Sequence, residues 1–218
     1  MNNTRDVGNR LAPFFRVYGF TRKSNKFYKI KNNIAFFAGL ERPGGLYSMC
    51  YIIPLYIPTN IPYLDYGCRL GYFDPFPVKS FYFDSDDPSQ LEVFIERTME
   101  CCEKYFFPLY EKISTLEGLI EFLNQGYEYV KMYWCDMPLA RYYELKIYTN
   151  FVLSRYDDII ADIPSLYSAV DHCFKGARSE WEERITKLLH FRFVPKEEKE
   201  EFIKNTVEHS IIACRIKE

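Results

Sequence analysis

Residues 11–20 read LAPFFRVYGF, residues 66–72 read YGCRLGY, and the stretch between these two segments decides the fold. The first segment has apolar residues at helical spacing, and Gly19 suits the left-handed conformation that ends many helices. Three apolar runs with strand-like composition lie between the two segments, at residues 27–31, 34–41 and 46–57. The stretch therefore predicts a helix from Arg5 to Tyr18, followed by four strands of an antiparallel sheet, the fourth over residues 66–73.

The sequence beyond these strands predicts a second helix against the same sheet. Residues 80–83 could add a short fifth strand, and Asp87 followed by Pro88 marks the beginning of a helix. We therefore expect an α+β domain over residues 1–125, in which an antiparallel sheet of four to five strands packs against two helices. Residues 126–218 are predicted to be an all-helical extension, which either forms a separate unit or continues the same core.

The helical half is divided by apolar spacing and by proline. One long helix is expected from about Pro138 to Ile160, and Pro164 is expected to begin the next helix. Residues 179–182 have the sequence SEWE, which resembles a capping box. Pro195 is expected to open the last helix, with the charged run 196–201 facing solvent.

Composition and charge restrict the class of protein. The 218 residues are 48% hydrophobic and 27% charged, which is typical of a globular chain. A formal net charge of −2 gives no overall attraction to nucleic acids or to anionic membranes. The first residues contain no apolar signal segment, no run approaches the ~20 apolar residues of a membrane span, and the seven cysteines form no C-x-x-C pair. We therefore expect a cytoplasmic protein with reduced thiols and no membrane partner.

Five short matches to a known family occur in the same order along the chain. They are GF at 19–20, RK followed by FY within 22–28, IAFF at 34–37, RLG at 69–71, and FPL followed by STLE within 107–117. Through these matches, residues 10–125 resemble the bacterial "domain of unknown function 4304" family. The resemblance implies an α+β core of one sheet with flanking helices, and it implies no activity.

The chain also departs from the pattern of that family. The family would have a polar residue such as glutamine in the second strand, where this chain has Phe36-Phe37. It would have a tryptophan after the Arg-Leu-Gly match, where this chain has Tyr72-Phe73. The helical half after Gly126 has no counterpart in the family core. The resemblance is therefore confined to about half of the chain.

The pattern Gly67-x-Arg69-x-Gly71 is the most suggestive local feature. On a strand these three residues share one face, so the two glycines would leave the sheet bare around the Arg69 guanidinium. Such a surface, which we call the Arg69 patch and to which we also assign Tyr28, suits a carboxylate or a phosphate. In the alternative arrangement, the first helix packs closely over the glycines and Arg69 pairs with an internal acid. The sequence leaves both arrangements open.

Other reactive residues lack the spacing of a catalytic or metal site. His172, His190 and His209 lie in different predicted helices, so no two have the spacing of a common metal site. Cys101-Cys102 is flanked by glutamates, which disfavour a reactive thiolate. The chain contains no nucleophile elbow, P-loop or dinucleotide-binding glycine motif. We therefore predict no catalytic residue, no metal and no cofactor.

These observations favour an interaction module over an enzyme. We expect a non-enzymatic protein whose partner is another protein, for example an immunity or regulatory protein that blocks a bacterial target. The alternative is a protein that binds a small anion or metabolite, or an enzyme, that uses the Arg69 patch. Nucleic-acid binding through Lys23, Lys26 and Lys29 is less favoured, because a solvated hairpin end explains the five cations of residues 22–31.

Overall fold

The computed structural model describes residues 3–41, 46–58, 66–70, 82–83, 89–135 and 137–216. A helix precedes an antiparallel sheet, and the rest of the described chain is helical, so the fold is α+β as predicted. The strands are β1 (Thr21–Lys23), β2 (Lys26–Lys31), β3 (Ile34–Glu41), β4 (Leu46–Pro54), β5 (Gly67–Arg69) and β6 (Tyr82–Phe83). The helices are α1 (Asn3–Val17), α2 (Gln90–Cys101), α3 (Phe107–Ile113), α4 (Leu116–Leu123), α5 (Tyr127–Lys131), α6 (Leu139–Val152), α7 (Tyr156–Cys173), α8 (Arg178–His190) and α9 (Lys196–Ala213).

The sheet follows the order of the chain. Its order is β1-β2-β3-β4-β5, β6 pairs with a different part of β4, and all pairs are antiparallel. Asn32 and Asn33 form the predicted hairpin turn, with φ angles of 50° and 61°. The short edge strand β1 was not predicted, and β4 ends at Pro54 rather than at Ile57. Asp87 and Pro88, the predicted helix start, lie outside the described residues.

The two faces of the sheet pack against different helices. On one face, Phe27, Phe36 and Ile52 belong to the main core, together with residues of α1, α2 and α3. On the other face, Tyr28, Phe37, Tyr51 and others form a smaller cluster with Ile216, and side chains from the end of α9 pack against it. The two helices that were predicted to pack on the sheet, α1 and α2, thus lie on its first face. The contact of α9 with the second face was not predicted.

Two helix boundaries show how proline and glycine act locally. Gly19 has a φ angle of 78° and ends α1, as its position predicts. Pro13 lies inside α1 and neither begins nor ends that helix. A π-helical turn, Cys102–Phe106, joins α2 to α3 directly before Pro108. Its wider i→i+5 pattern removes the i→i+4 bond that Pro108 cannot make, because proline has no backbone N–H.

The prediction for the middle of the helical half was wrong. The expected long helix is two helices, α6 and α7, which are separated at Ser154, a residue with a φ angle of 60°. Pro164 does not begin a helix but lies inside α7. Since Pro164 and Ile160 are both exposed, water can bind the carbonyl group that the proline leaves without a donor. Ser179 is not a cap, because α8 begins at Arg178.

The sequence predicts that the charged run 196–201 faces solvent, and the structure contradicts this prediction at Lys199. Lys199 is 6% exposed, and its Nζ donates to the Val152 carbonyl (3.3 Å) and to the Ser154 hydroxyl (2.5 Å). Burial lowers the pKa of Lys199. This side chain therefore ties α9 to the turn between α6 and α7.

The main core is continuous across position 126. It contains residues of α1 and the sheet as well as residues of α4, α6, α7 and α8. The division into domains at residues 125 and 126 stays a prediction. All seven cysteines are free thiols, and four of them are buried, at positions 50, 68, 101 and 102. Within the described ranges, no helix has both the length and the apolar character that crossing a bilayer requires.

Candidate functional site

Strand register places the predicted patch residues on one face of the sheet. Tyr28, Phe37, Tyr51 and Gly67 are successive cross-strand partners in β2, β3, β4 and β5, and they form one row. The next row contains Lys26, Gly39, Met49 and Arg69 in the same way. Because the rows are two residues apart, their side chains project to the same side of the sheet. Tyr28 and Arg69 thus share a face.

Tyr28 and Arg69, which the sequence assigns to one patch, lie at opposite ends of these rows. The backbones of Lys26 and Arg69 are three strand spacings apart, which is about 14 Å. Arg69 is half-buried beside Met49, whereas Tyr28 is nearly buried beside Phe37. Gly71 lies outside the described residues. The structure therefore brings Tyr28 and Arg69 to one face without placing them in one pocket.

The space beside Gly67, where a side chain would lie, is filled by atoms of the neighbouring strand β4. A Cβ atom at this position would lie 2.3 Å from the Tyr51 Cβ and 2.4 Å from the Cys50 carbonyl oxygen. Close packing does surround this glycine, but it comes from β4, while α1 packs on the opposite face. Cys68 and Leu70 are 2% and 1% exposed and form part of the core, as predicted.

A cavity of about 190 Å³ lies on the same face, between β1, β2, β3 and the end of α9. Lys23, Lys26 and Arg215 contribute cationic side chains, and Tyr28 and Phe37 contribute aromatic ones. None of the described residues that line the cavity is acidic. We call Lys23, Lys26 and Arg215 with this cavity the cationic sheet face.

The hairpin between β1 and β2 sets the position of the two lysines. Lys23 and Lys26 are cross-strand partners on either side of a tight turn in which Ser24 has a φ angle of 56°. Lys26 also extends over the Tyr51 ring, with its Nζ 5.8 Å from the ring centroid. Lys29 lies three residues after Lys26 in the same strand, an odd number, so its side chain is on the other face of the sheet. It donates to the Tyr18 carbonyl at 3.1 Å.

The end of α9 closes the cavity on its second side. The Lys23 ammonium donates to the carbonyl of Arg215, a residue with a φ angle of 53°. The Ile216 amide donates to the Ile211 carbonyl at 3.0 Å, and the buried Ile216 side chain packs in the cluster that contains Tyr28. Burial raises the pKa of the Cys214 thiol, while the nearby Lys26 ammonium opposes that change. The thiol is thus neutral at pH 7, and the cavity keeps its positive charge.

Sequence reasoning grouped Lys23 and Lys26 with Lys29, which lies on the opposite face, and it missed Arg215. Part of the signal was present, because Lys26 and Tyr28 are two residues apart in one strand and must share a face. The pairing of Lys23 with Lys26 also follows once the turn is placed at Ser24 and Asn25. The contribution of Arg215 comes from a residue nearly 200 positions away, and no local pattern indicates it.

The three cations around the cavity can bind an anion. Ammonium and guanidinium groups donate charge-assisted hydrogen bonds to carboxylate or phosphate oxygens. Within the described part of the chain, no group of three His, Cys, Asp or Glu side chains could hold a metal ion.

Comparisons with known protein families, curated proteins and solved structures found no match to this chain. The resemblance to the "domain of unknown function 4304" family stays a prediction.

Proposed function

We propose that this chain is a cytoplasmic protein-binding module whose cationic sheet face binds an acidic segment of a partner protein. The observation that carries the proposal is the grouping of Lys23, Lys26 and Arg215 around a cavity with no acidic residue among its described lining. An acidic side chain from a partner would insert between the two lysines. An immunity or regulatory protein that blocks its target through this contact is the concrete form of the proposal.

The size of the cavity favours a partner side chain over a free metabolite. Sites for small molecules typically enclose about 300–1,000 Å³, whereas this cavity measures about 190 Å³. A glutamate or aspartate side chain needs only a fraction of that volume, and the rest of the partner segment would lie on the surface beside Lys23. The exposed edge position of β1 in the order of described strands leaves room for such a segment.

Charge complementarity also gives a reason for specificity. The chain has a formal net charge of −2, so an acidic partner is repelled by the molecule as a whole and attracted at this one face. Binding through this face should therefore weaken as salt is added, because the attraction is between partly exposed charges. A hydrophobic contact elsewhere on the chain would show no such dependence.

Binding of a fluorescein-labelled oligoglutamate peptide, followed by fluorescence polarisation, tests this proposal. We expect the wild-type chain to bind the peptide and the double variant Lys23→Ala/Lys26→Ala to bind it at least about tenfold more weakly, since each charged hydrogen bond contributes about 1.5–3 kcal/mol. The matched control is Lys196→Ala/Lys204→Ala, which removes two exposed cations of α9 that lie outside the cavity.

Two results would overturn the proposal. The first is equal peptide affinity in the double variant and in the control, because the binding would then not depend on the cationic sheet face. The second is that acetate or phosphate alone binds as tightly as the peptide and competes with it. That second result would replace the protein partner with a small anion, the alternative function predicted from the sequence.

A further inference from the structure

A second cavity lies in the helical half, in the groove between α8 and α9. Its volume is about 560 Å³, which is inside the range of about 300–1,000 Å³ that small-molecule sites occupy. Glu183, Arg184 and Lys187 line one wall, and they recur on one face of α8. Phe202 of α9 contributes to the opposite wall, and Tyr148 of α6 lies at the floor.

A tyrosine hydroxyl without a hydrogen-bond partner in the described structure lines this cavity. Tyr148 is 3% exposed, and its hydroxyl makes no hydrogen bond to any residue in the described part of the chain. Burial, with the Glu144 carboxylate nearby, raises the pKa of Tyr148, so the hydroxyl remains protonated at neutral pH. The hydroxyl is therefore a hydrogen-bond donor that a ligand in the cavity can use.

Ion pairs beneath the cavity hold its floor in place. Glu144 is 1% exposed and contacts two guanidinium groups, those of Arg141 at 2.5 Å and Arg184 at 3.4 Å. Arg184 also pairs with Glu180 at 2.5 Å, so its charge is already matched by carboxylates. These contacts hold the Arg184 side chain in place. The charges of this wall that lack an ion pair are therefore those of Glu183 and Lys187.

The wall of α8 presents two opposite charges that the described structure leaves without an ion pair. Glu183 and Lys187 lie one helical turn apart, both line the cavity, and neither forms an ion pair with another described residue. The Lys187 ammonium lies 5.0 Å from the centroid of the Phe202 ring. The lining thus offers one carboxylate and one ammonium without an ion pair, and one hydroxyl donor. It also contains the paired Glu180 and Arg184 and the polar residues Asn205, Thr206 and His209.

We propose that this cavity binds a small zwitterion, namely a free amino acid or a short peptide. The carboxylate of the ligand would pair with Lys187, its ammonium with Glu183, and one of its oxygens would accept from Tyr148. Phe202 and Leu188 would contact an apolar side chain of the ligand. A ligand with a single charge would pair with only one of the two wall residues and would forgo the second charged hydrogen bond. This site shares no residue with the cationic sheet face.

Calorimetric titration with glycylglycine, dialanine and leucine tests this assignment, with N-acetylated and C-amidated forms of the same compounds as probes of each charge. We expect millimolar or tighter binding of the zwitterions and its loss in the capped forms. Lys187→Met and Glu183→Gln should each weaken binding by about tenfold or more, since each removes a charged hydrogen bond. Tyr148→Phe should weaken it by a smaller factor, because it removes one hydroxyl from an unchanged ring.

The control variant is Lys204→Met, which removes an exposed cation of α9 outside the cavity and should bind like the wild type. Glu183 and Lys187 lie on the helix surface, so their variants keep the fold and can be judged by their melting temperatures. The assignment is wrong if no zwitterion binds at millimolar concentration, if capped forms bind equally well, or if Lys204→Met weakens binding as much as Lys187→Met.

Discussion

Gly67 and Gly39 lie on the same face of the sheet in neighbouring rows, yet an added methyl group should have opposite effects at the two positions. At Gly67 a Cβ atom would lie 2.3 Å from the Tyr51 Cβ, 2.4 Å from the Cys50 carbonyl oxygen and 2.6 Å from the Tyr51 Cα. None of these atoms belongs to the flexible end of a side chain. The strands β4 and β5 must therefore move apart to admit the alanine.

The expected cost of Gly67→Ala is that of overpacking a core, about 1–3 kcal/mol. We expect the upper end of this range, because only backbone and Cβ atoms surround the position. For a chain of this size, such a loss lowers the melting temperature by about 4–12 °C. Thermal unfolding followed by circular dichroism measures this change directly.

Gly39→Ala is the matched control. A Cβ atom at this position would meet the Lys26 Cγ at 3.7 Å and the Asn25 carbonyl oxygen at 3.9 Å, which are ordinary contacts. Since alanine loses less conformational entropy than glycine, this variant should be neutral or more stable by up to about 1 kcal/mol. A melting temperature that is unchanged in Gly67→Ala, or that falls equally in both variants, would refute the assignment of Gly67 to strand packing.

Two further predictions concern the helices. Thr115→Ala should lower the free energy of unfolding by about 1 kcal/mol, because the Thr115 hydroxyl accepts from the Gly118 amide at 3.0 Å and caps α4. Chemical denaturation measures this loss. An unchanged denaturation midpoint would contradict the prediction. For Glu144, burial raises the carboxyl pKa from its ordinary 4.5, against the opposing effect of Arg141. The folded state therefore holds this proton more tightly than the unfolded state, and the stability from Glu144 is lost as pH rises through the folded pKa. Urea denaturation between about pH 4 and pH 7 should show Glu144→Gln gaining stability relative to wild type; a constant or falling difference would be inconsistent with this sign.

The parts of the fold that sequence patterns predict are those with a local cause. The φ angles of Asn32, Asn33 and Gly19 follow from the tolerance of asparagine and glycine for the left-handed conformation. Ser154 adopts the same conformation without belonging to a residue type that favours it, so the end of α6 carries no local signal. What holds that turn is a contact with the distant Lys199, and apolar spacing cannot reveal it.

The candidate site divides along the same line. Alternation within β2 is enough to place Lys26 and Tyr28 on one face, and alternation within the predicted fourth strand, residues 66–73, places Arg69 opposite Cys68 and Leu70. The distance between Tyr28 and Arg69 depends on how many strands lie between them and on their register. A pattern read along one strand cannot supply that distance.

The faces of the sheet now suggest why a cationic cavity is found where α9 ends. The sheet needs cover on both sides, and α1 with α2 and α3 supplies it on one side, against residues of β2, β3 and β4 such as Phe27, Phe36 and Ile52. On the other side, side chains from the last part of α9 and the residues after it pack against the aromatic row, among them Ile211, Cys214 and Ile216. Where the helix stops, Lys23 and Lys26 line the cavity beside the end of α9. Charged residues at the edge of a sheet discourage pairing with a second sheet. The same two charges would then select an acidic segment, so the feature that protects this edge would also determine what binds there.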